Sequence, residues 1–219
     1  MMIKAIVFDM DGVLIDSEQH YQNRTKEYLN HLGIDVDRNK LNKLAGGSKN
    51  HYDAFMNDLF IGTNLTIEDF DDGYTEYYKN EKVDLNKILF DGVRDILPYI
   101  KAQGFRIALA SSSQLCYIEE MLDTCHLREY FEAIMSGEMF HESKPNPEIY
   151  LTMADHLGLL PSECIAIEDS TYGLTSAHNA GYYVVGKRDD RFGYNQSIAD
   201  VLFDDFNELK NILSDFVDK

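Results

Sequence analysis

The sequence predicts an α/β fold, a doubly wound parallel sheet with a small helical cap domain. Three observations predict it. Six short apolar runs recur along the chain, helical patterns separate most of them, and residues 17–83 break that alternation.

The first run is "IKAIVF" at 3–8. Its apolar character is continuous rather than alternating, as in a strand covered on both faces. Residues 17–83 follow with polar and aromatic helical stretches at 18–33, 38–46, 50–60 and 66–81, and no convincing strand between them. The core domain is therefore expected over 1–16 and 84–219, with the helical cap at 17–83. Two crossings, near 16–17 and 83–90, would let the insert move. The core resumes with a helix whose apolar positions fall at 93, 96, 97 and 100, with Gly104 as its stop. The strand "FRIALA" (105–110), a helix over 114–125 and the strand "EAIM" (132–135) come next. A helix at 147–158 opens on Pro147, a residue suited to a first helical turn. Strands "CIAIE" (164–168), "YYVV" (182–185) and "ADVLF" (199–203) complete the set.

Composition narrows the function. A net charge of −18 over 219 residues argues against nucleic-acid binding, which rests on Lys and Arg neutralising phosphates. The same charge is repelled by anionic membranes, and no apolar run approaches the ~20 residues of a membrane span. An anionic ligand would need a local positive site built from a metal, a few basic residues or helix N-termini. Three cysteines, Cys116, Cys125 and Cys164, form no CxxC pair, and Lys4 and Asp9 interrupt the N-terminal apolar stretch. Reduced thiols and a cytoplasmic location are the expectation. No obligate protein partner is evident.

The chemistry sits at the strand ends. In open α/β sheets ligands gather at the carboxyl ends of strands. Asp9 and Asp11 follow the first strand, and on extended backbone residues i and i+2 share a side. Two such carboxylates repel unless a cation lies between them, and Mg2+ is the simplest candidate. Ser111, Ser112 and Ser113 end the second core strand just before a helix, where hydroxyls and free N–H groups suit phosphate oxygens. Lys144 stands in a proline-bounded turn, a compact charge for a phosphoryl group. Glu168 and Asp169 end a further strand.

Taken singly, each has a blander reading. A lone DxD is usually a solvated strand end or a cap, one serine of three an ordinary helix cap, and a lysine a surface charge. An EF-hand loop does not fit, since Gly12 falls at loop position four and "VLI" is apolar where alternate polar residues are needed. Four motifs in order, each after a predicted strand, outweigh the bland readings.

The ordered set "DMDGVLIDSE", "LASSS", "SKPNPEIY" and "IEDSTYG" resembles the haloacid dehalogenase superfamily, and the cap position resembles its β-phosphoglucomutases and sugar-phosphate phosphatases. The resemblance implies Asp9 as a nucleophile forming an aspartyl-phosphate, and Asp11 as general acid and then base. It implies Ser111 as a hydrogen-bond partner of the phosphoryl group and Lys144 as its counter-charge. The Mg2+ site it implies combines Asp9, the backbone carbonyl of Asp11, Asp169 and Glu168, the last acting directly, through water or by orienting Lys144. The cap loop "LAGGSKN" (44–50) would read the substrate through Gly47 and Lys49, with Ser112 and Gln114 as substrate contacts on the core.

Departures from the mutase pattern favour hydrolysis. Gln114 and Leu115 stand where the mutase has Lys and Asn for a second phosphate, and Tyr21 replaces a histidine near the hinge; His20 is one residue off, and Asp16, Glu18 and Arg24 lie nearby. Lys49 keeps a basic residue and argues the other way. The tyrosines at 74, 77 and 78 read as helix packing, and Cys116 has no adjacent base to activate it. The expectation is a Mg2+-dependent phosphatase for a small phosphorylated metabolite. A mutase is the alternative, and an aspartyl-phosphate signalling module is the alternative from another class. Dehalogenation is disfavoured because its enzymes lack the second aspartate.

Overall fold

The structure of the protein, a computed structural model, describes residues 2–42, 44–45 and 49–217, and of 49–51 the backbone alone. Six strands form one sheet: β1 (Ala5–Phe8), β2 (Arg106–Ser111), β3 (Ala133–Ser136), β4 (Cys164–Glu168), β5 (Tyr183–Lys187) and β6 (Val201–Phe203). Their order is β3-β2-β1-β4-β5-β6 and every pairing is parallel. From β1 the chain winds outward to β3, then returns to β4 and winds the other way. The switch point therefore lies between β1 and β4, the two strands that end in Asp9 and Glu168–Asp169.

The chain divides into two compact units. The helical unit, Ser17–Asp84 with Asp190–Gly193, carries α1 (Ser17–His31), α2 (Arg38–Asn42), α3 (Lys49–Leu59) and α4 (Ile67–Tyr78). Its own core gathers Tyr28, Leu29, Val36, Leu41, Met56, Phe60, Phe70 and Tyr78. Helix α4 starts on a capping box: Asp69 N–H donates to Thr66 Oγ1 and Thr66 N–H to Asp69 Oδ2. Within this unit Asn42 Nδ2 donates to Arg191 O at 3.0 Å. A second stretch of chain, 190–193, thus packs with helices the sequence alone placed between 17 and 83.

The sheet unit comprises Met1–Asp16, Leu85–Asp189 and Tyr194–Lys219. Its helices are α5 (Leu85–Ile88), α6 (Val93–Ala102), α7 (Leu115–Thr124), α8 (Glu148–His156), α9 (Thr171–Ala180) and α10 (Phe206–Ser214). Alternate strand residues Ala5, Val7, Ala108, Ala110, Cys164 and Ala166 bury against α8 and α9 through Ile149, Tyr150, Met153, Leu174 and Ala177. The intervening Ile6, Phe8, Ile107, Leu109, Ile165 and Ile167 are equally buried on the other face, where α6 packs on β2 and α10. Two covered faces are the physical reason these strands read as continuous apolar runs. Each buried Ile, Leu, Val, Met or Phe side chain among them contributes about 1.5–3 kcal/mol by leaving water. Among the described residues no helix is long and apolar enough to cross a membrane.

Candidate active site

Asp9 continues the central ladder: its N–H donates to Ile167 O of β4 at 2.9 Å. Residues 5, 7 and 9 share one face, so Asp9 leans toward the side of α8, which Lys144 precedes. Glu168 is the last residue of β4 and Asp169 is the next. Carboxylate oxygens of Asp9, Glu168 and Asp169 all lie within 4.8 Å of one another, and all three residues are buried.

The Lys144 ammonium joins two of these carboxylates, and the charge of Lys187 acts on the third, Asp169. Lys144 Nζ donates to Asp9 Oδ1 at 2.7 Å, to Glu168 Oε1 at 2.7 Å and to Ala110 O at 2.8 Å. These use all three of its donors. Tyr150 Oη donates to the same Glu168 oxygen at 2.5 Å, and its ring centroid lies 5.2 Å from the Lys144 ammonium. The other oxygen, Glu168 Oε2, is buried with no hydrogen-bond partner among the described residues. Glycine makes room for it: a Cβ on Gly173, in the first turn of α9, would fall 1.9 Å from Oε2.

With Asp189 beside Asp169, the buried carboxylates outnumber Lys144 and Lys187 and leave excess negative charge. Burial pushes Asp9 up to about 8, with Glu168 and Asp11 adding to the rise and Lys144 opposing it. Asp169 is raised well above the carboxylate range by burial and by the charges of Asp9 and Glu168. Burial acts to lower Lys144, but Asp9 and Glu168 outweigh it and hold the ammonium above its usual value. An all-oxygen donor set, uncompensated charge and an orphaned buried carboxylate oxygen together fit a hard divalent cation.

Asp11 points elsewhere. The chain turns tightly after β1, with Leu14 N–H and Ile15 N–H both donating to Met10 O. Ser113 Oγ donates to Asp11 Oδ2 at 2.6 Å. Ser111 is fully buried and its Oγ accepts the Ser113 N–H at 3.0 Å. Ser112 and Gln114 are exposed, and Gln114 is the N-cap residue of α7. The Leu115 N–H at that helix start donates to Glu138 Oε2 at 2.8 Å. Gly47 and the Lys49 side chain lie outside the described residues.

Arg24 and the tyrosines at 74, 77 and 78 pack, whereas Tyr21 and Cys116 are exposed. The Arg24 guanidinium lies 4.6 Å from the Tyr78 ring centroid, and Tyr74, Tyr77 and Tyr78 join Tyr28 and Phe70 in one aromatic cluster. Sequence reasoning missed Ser113 as the partner of Asp11, Tyr150 as the partner of Glu168, and the buried Lys187 and Gln196 beside Asp169. Tyr150 gave no polar signal because it occupies an apolar helix position. Gln196 lies in a loop of unremarked composition.

The haloacid dehalogenase-like hydrolase family matches residues 6–187. Hexitol phosphatase B of Escherichia coli (strain K12) is 33% identical over 181 residues, which cover 81% of this chain and 80% of that one. Beta-phosphoglucomutase of Bacillus subtilis (strain 168) is 28% identical over 191 residues, 84% of this chain and 83% of that one. The crystal structure of CbbY from Rhodobacter sphaeroides in complex with phosphate superposes with a TM-score of 0.70 at 28% identity, covering 95% of this chain and 96% of that one.

Proposed function

The chain belongs to the haloacid dehalogenase-like hydrolase family and is an enzyme of the phosphoester-hydrolase kind; from that premise we propose that it is a Mg2+-dependent phosphatase of a small sugar phosphate, working through an aspartyl-phosphate on Asp9. The observation that carries this reading is the buried cluster of Asp9, Glu168 and Asp169 around the Lys144 ammonium.

In this reading the two steps divide between two aspartates. Asp9 attacks phosphorus, the ester P–O bond breaks, and the departing alkoxide takes a proton from Asp11. Asp11, now a carboxylate, takes a proton from water, the water oxygen attacks the aspartyl-phosphate, and Asp9 is released with inorganic phosphate. Lys144, fixed by three acceptors, holds Asp9 through Oδ1 and neutralises the phosphoryl oxygens. The hydroxyl of Ser113 orients Asp11, and the Ser111 hydroxyl with the Ser112 N–H receives phosphoryl oxygens. Asp9, Asp169, Glu168 and the carbonyl of Asp11 would hold Mg2+, which when bound offsets the surplus negative charge and lets Asp9 stay ionised. Ser112, Gln114, Gly47 and Lys49 are proposed substrate contacts.

Hydrolysis is favoured over the mutase reaction by the start of α7. The Glu138 carboxylate already takes the Leu115 N–H, so an anion of the protein's own occupies the helix end next to Ser113. A second phosphate would be repelled there. The test supplies Mg2+ and a panel of sugar phosphates that includes β-glucose 1-phosphate, following free phosphate and glucose 6-phosphate together, with Asp9→Asn as control. Phosphate release lost in the variant is the expected result. Glucose 6-phosphate without phosphate release would establish the mutase, and neither product would move the assignment to a phospho-acceptor module without turnover.

A further inference from the structure

Beyond the end of the β4–β5 ladder, two carbonyls that no further rung can serve lie side by side. The last paired residues are Glu168 and Gly186. One residue on, Asp169 O and Lys187 O both accept from a single group, the Nε2 of Gln196, each at 2.6 Å. The Oε1 of the same side chain accepts the Asp189 N–H at 3.2 Å. Gln196 is 9% exposed. Two acceptors and one donor on the backbone fix which way the amide points. A carboxamide is the one side-chain end group that gives two donors and one acceptor in this fork. A carboxylate would face both carbonyls with like charge, and an apolar group would leave three buried backbone groups unpaired.

Asp169 is gripped from two sides. Its carboxylate lies against Gly12, and its carbonyl is held by Gln196. Between them these contacts leave the residue little freedom to re-aim.

We infer that Gln196 is a positioning residue for the metal site, a side-chain rung that replaces the missing β4–β5 pairing and sets where Asp169 presents its carboxylate. The inference rests on the proposed role of Asp169 as a metal ligand. Groups that orient a ligand from behind characteristically change metal affinity tenfold or more when removed.

The test is Mg2+ binding by calorimetry to the purified wild type and to Gln196→Met, which keeps length and volume but removes both donors. The expected result is an Mg2+ dissociation constant raised about tenfold, with a turnover deficit that closes as Mg2+ is raised. Circular dichroism of metal-free Gln196→Met, expected to match the wild type, separates this from a general loss of structure, which Mg2+ would also oppose by mass action. An unchanged dissociation constant in folded Gln196→Met overturns the inference while leaving the Mg2+ site intact. Failure of the wild type to bind Mg2+ overturns the site and the inference together. If Gln196→Met does not fold, the wild type supplies the answer through hydrogen exchange at the Asp189 amide, read by NMR. Coupling is reciprocal, so Mg2+ is expected to slow that exchange about tenfold, and an unaltered rate overturns the inference.

Discussion

A Cβ on Gly12 would fall 2.0 Å from Oδ2 of Asp169. The glycine that ends "DMDG" is therefore required by a carboxylate more than 150 residues further along the chain. Its φ of +77° adds a second reason, since an L side chain there costs about 1–2 kcal/mol.

Gly12→Ala separates these two effects when set beside Gly104→Ala. Gly104 also has a positive φ, +88°, but nothing within 4 Å of its Cβ position. Both variants are expected to lose stability of about 1–2 kcal/mol through the backbone. Gly12→Ala alone is expected to lose at least about tenfold in Mg2+ affinity, measured by calorimetry. Equal affinities would mean that Asp169 does not touch the metal.

Tyr150→Phe removes one hydroxyl from Glu168 and keeps the ring beneath Lys144. A hydrogen bond to a charged group is worth about 1.5–3 kcal/mol. Denaturant unfolding should show a loss in that range. Glu168 keeps Lys144 on the same oxygen, so the fold is expected to survive and Mg2+ binding to weaken.

Metal and pH are linked through the same carboxylates. Asp9 is raised to about 8 in the folded chain against about 3.9 in an unfolded one, and Asp169 is raised in the same sense. Between those values the folded state binds more protons than the unfolded state, so metal-free stability falls as pH rises from about 4 to about 8. Lys144, held above its usual value, keeps its contribution throughout this window. Glu132 and Glu163, both held low, lose theirs only under more acid conditions. Melting curves at pH 5 to pH 8 in chelator should therefore decline with pH. The gain on adding Mg2+ should widen over the same interval, as metal replaces the protons. A gain that narrows with rising pH would contradict the assigned site.

Thiol reactivity reports on the sheet. Cys116 is exposed, whereas Cys125 and Cys164 are buried, and burial pushes the Cys164 thiol up to about 11. A colorimetric thiol reagent at neutral pH should modify Cys116 alone in the native protein and all three residues after denaturation.

The six strands could be read in the sequence because burial on both faces keeps their central positions apolar. Their ends were less distinct. β5 runs on through Gly186 and Lys187, two residues past the apolar run at 182–185, because Gly186 pairs with Leu202 and Lys187 with Phe203 of β6; the buried Lys187 ammonium lies 3.6 Å from the Phe90 ring centroid. Helix α10 went unread although Asp205 caps it clearly, with Oδ1 accepting from Asn207 N–H and Glu208 N–H. Asp9, Lys144 and Glu168 could be recognised because their types are costly to bury and each follows a strand or opens a helix. Tyr150 and Gln196 could not. Tyr150 bonds a residue 18 positions away, and the fork of Gln196 includes one 27 positions away; such pairings have no local pattern.

The central claim is that Asp9 carries the phosphoryl group. Rapid mixing with a sugar phosphate that the enzyme turns over, acid quenching and peptide mass spectrometry test it most directly. The account predicts a transient phosphoryl adduct on the peptide containing Asp9, absent from Asp9→Asn, which also releases no phosphate. Phosphate release by Asp9→Asn at the wild-type rate, with no adduct on Asp9 in the wild type at any mixing time, would contradict it.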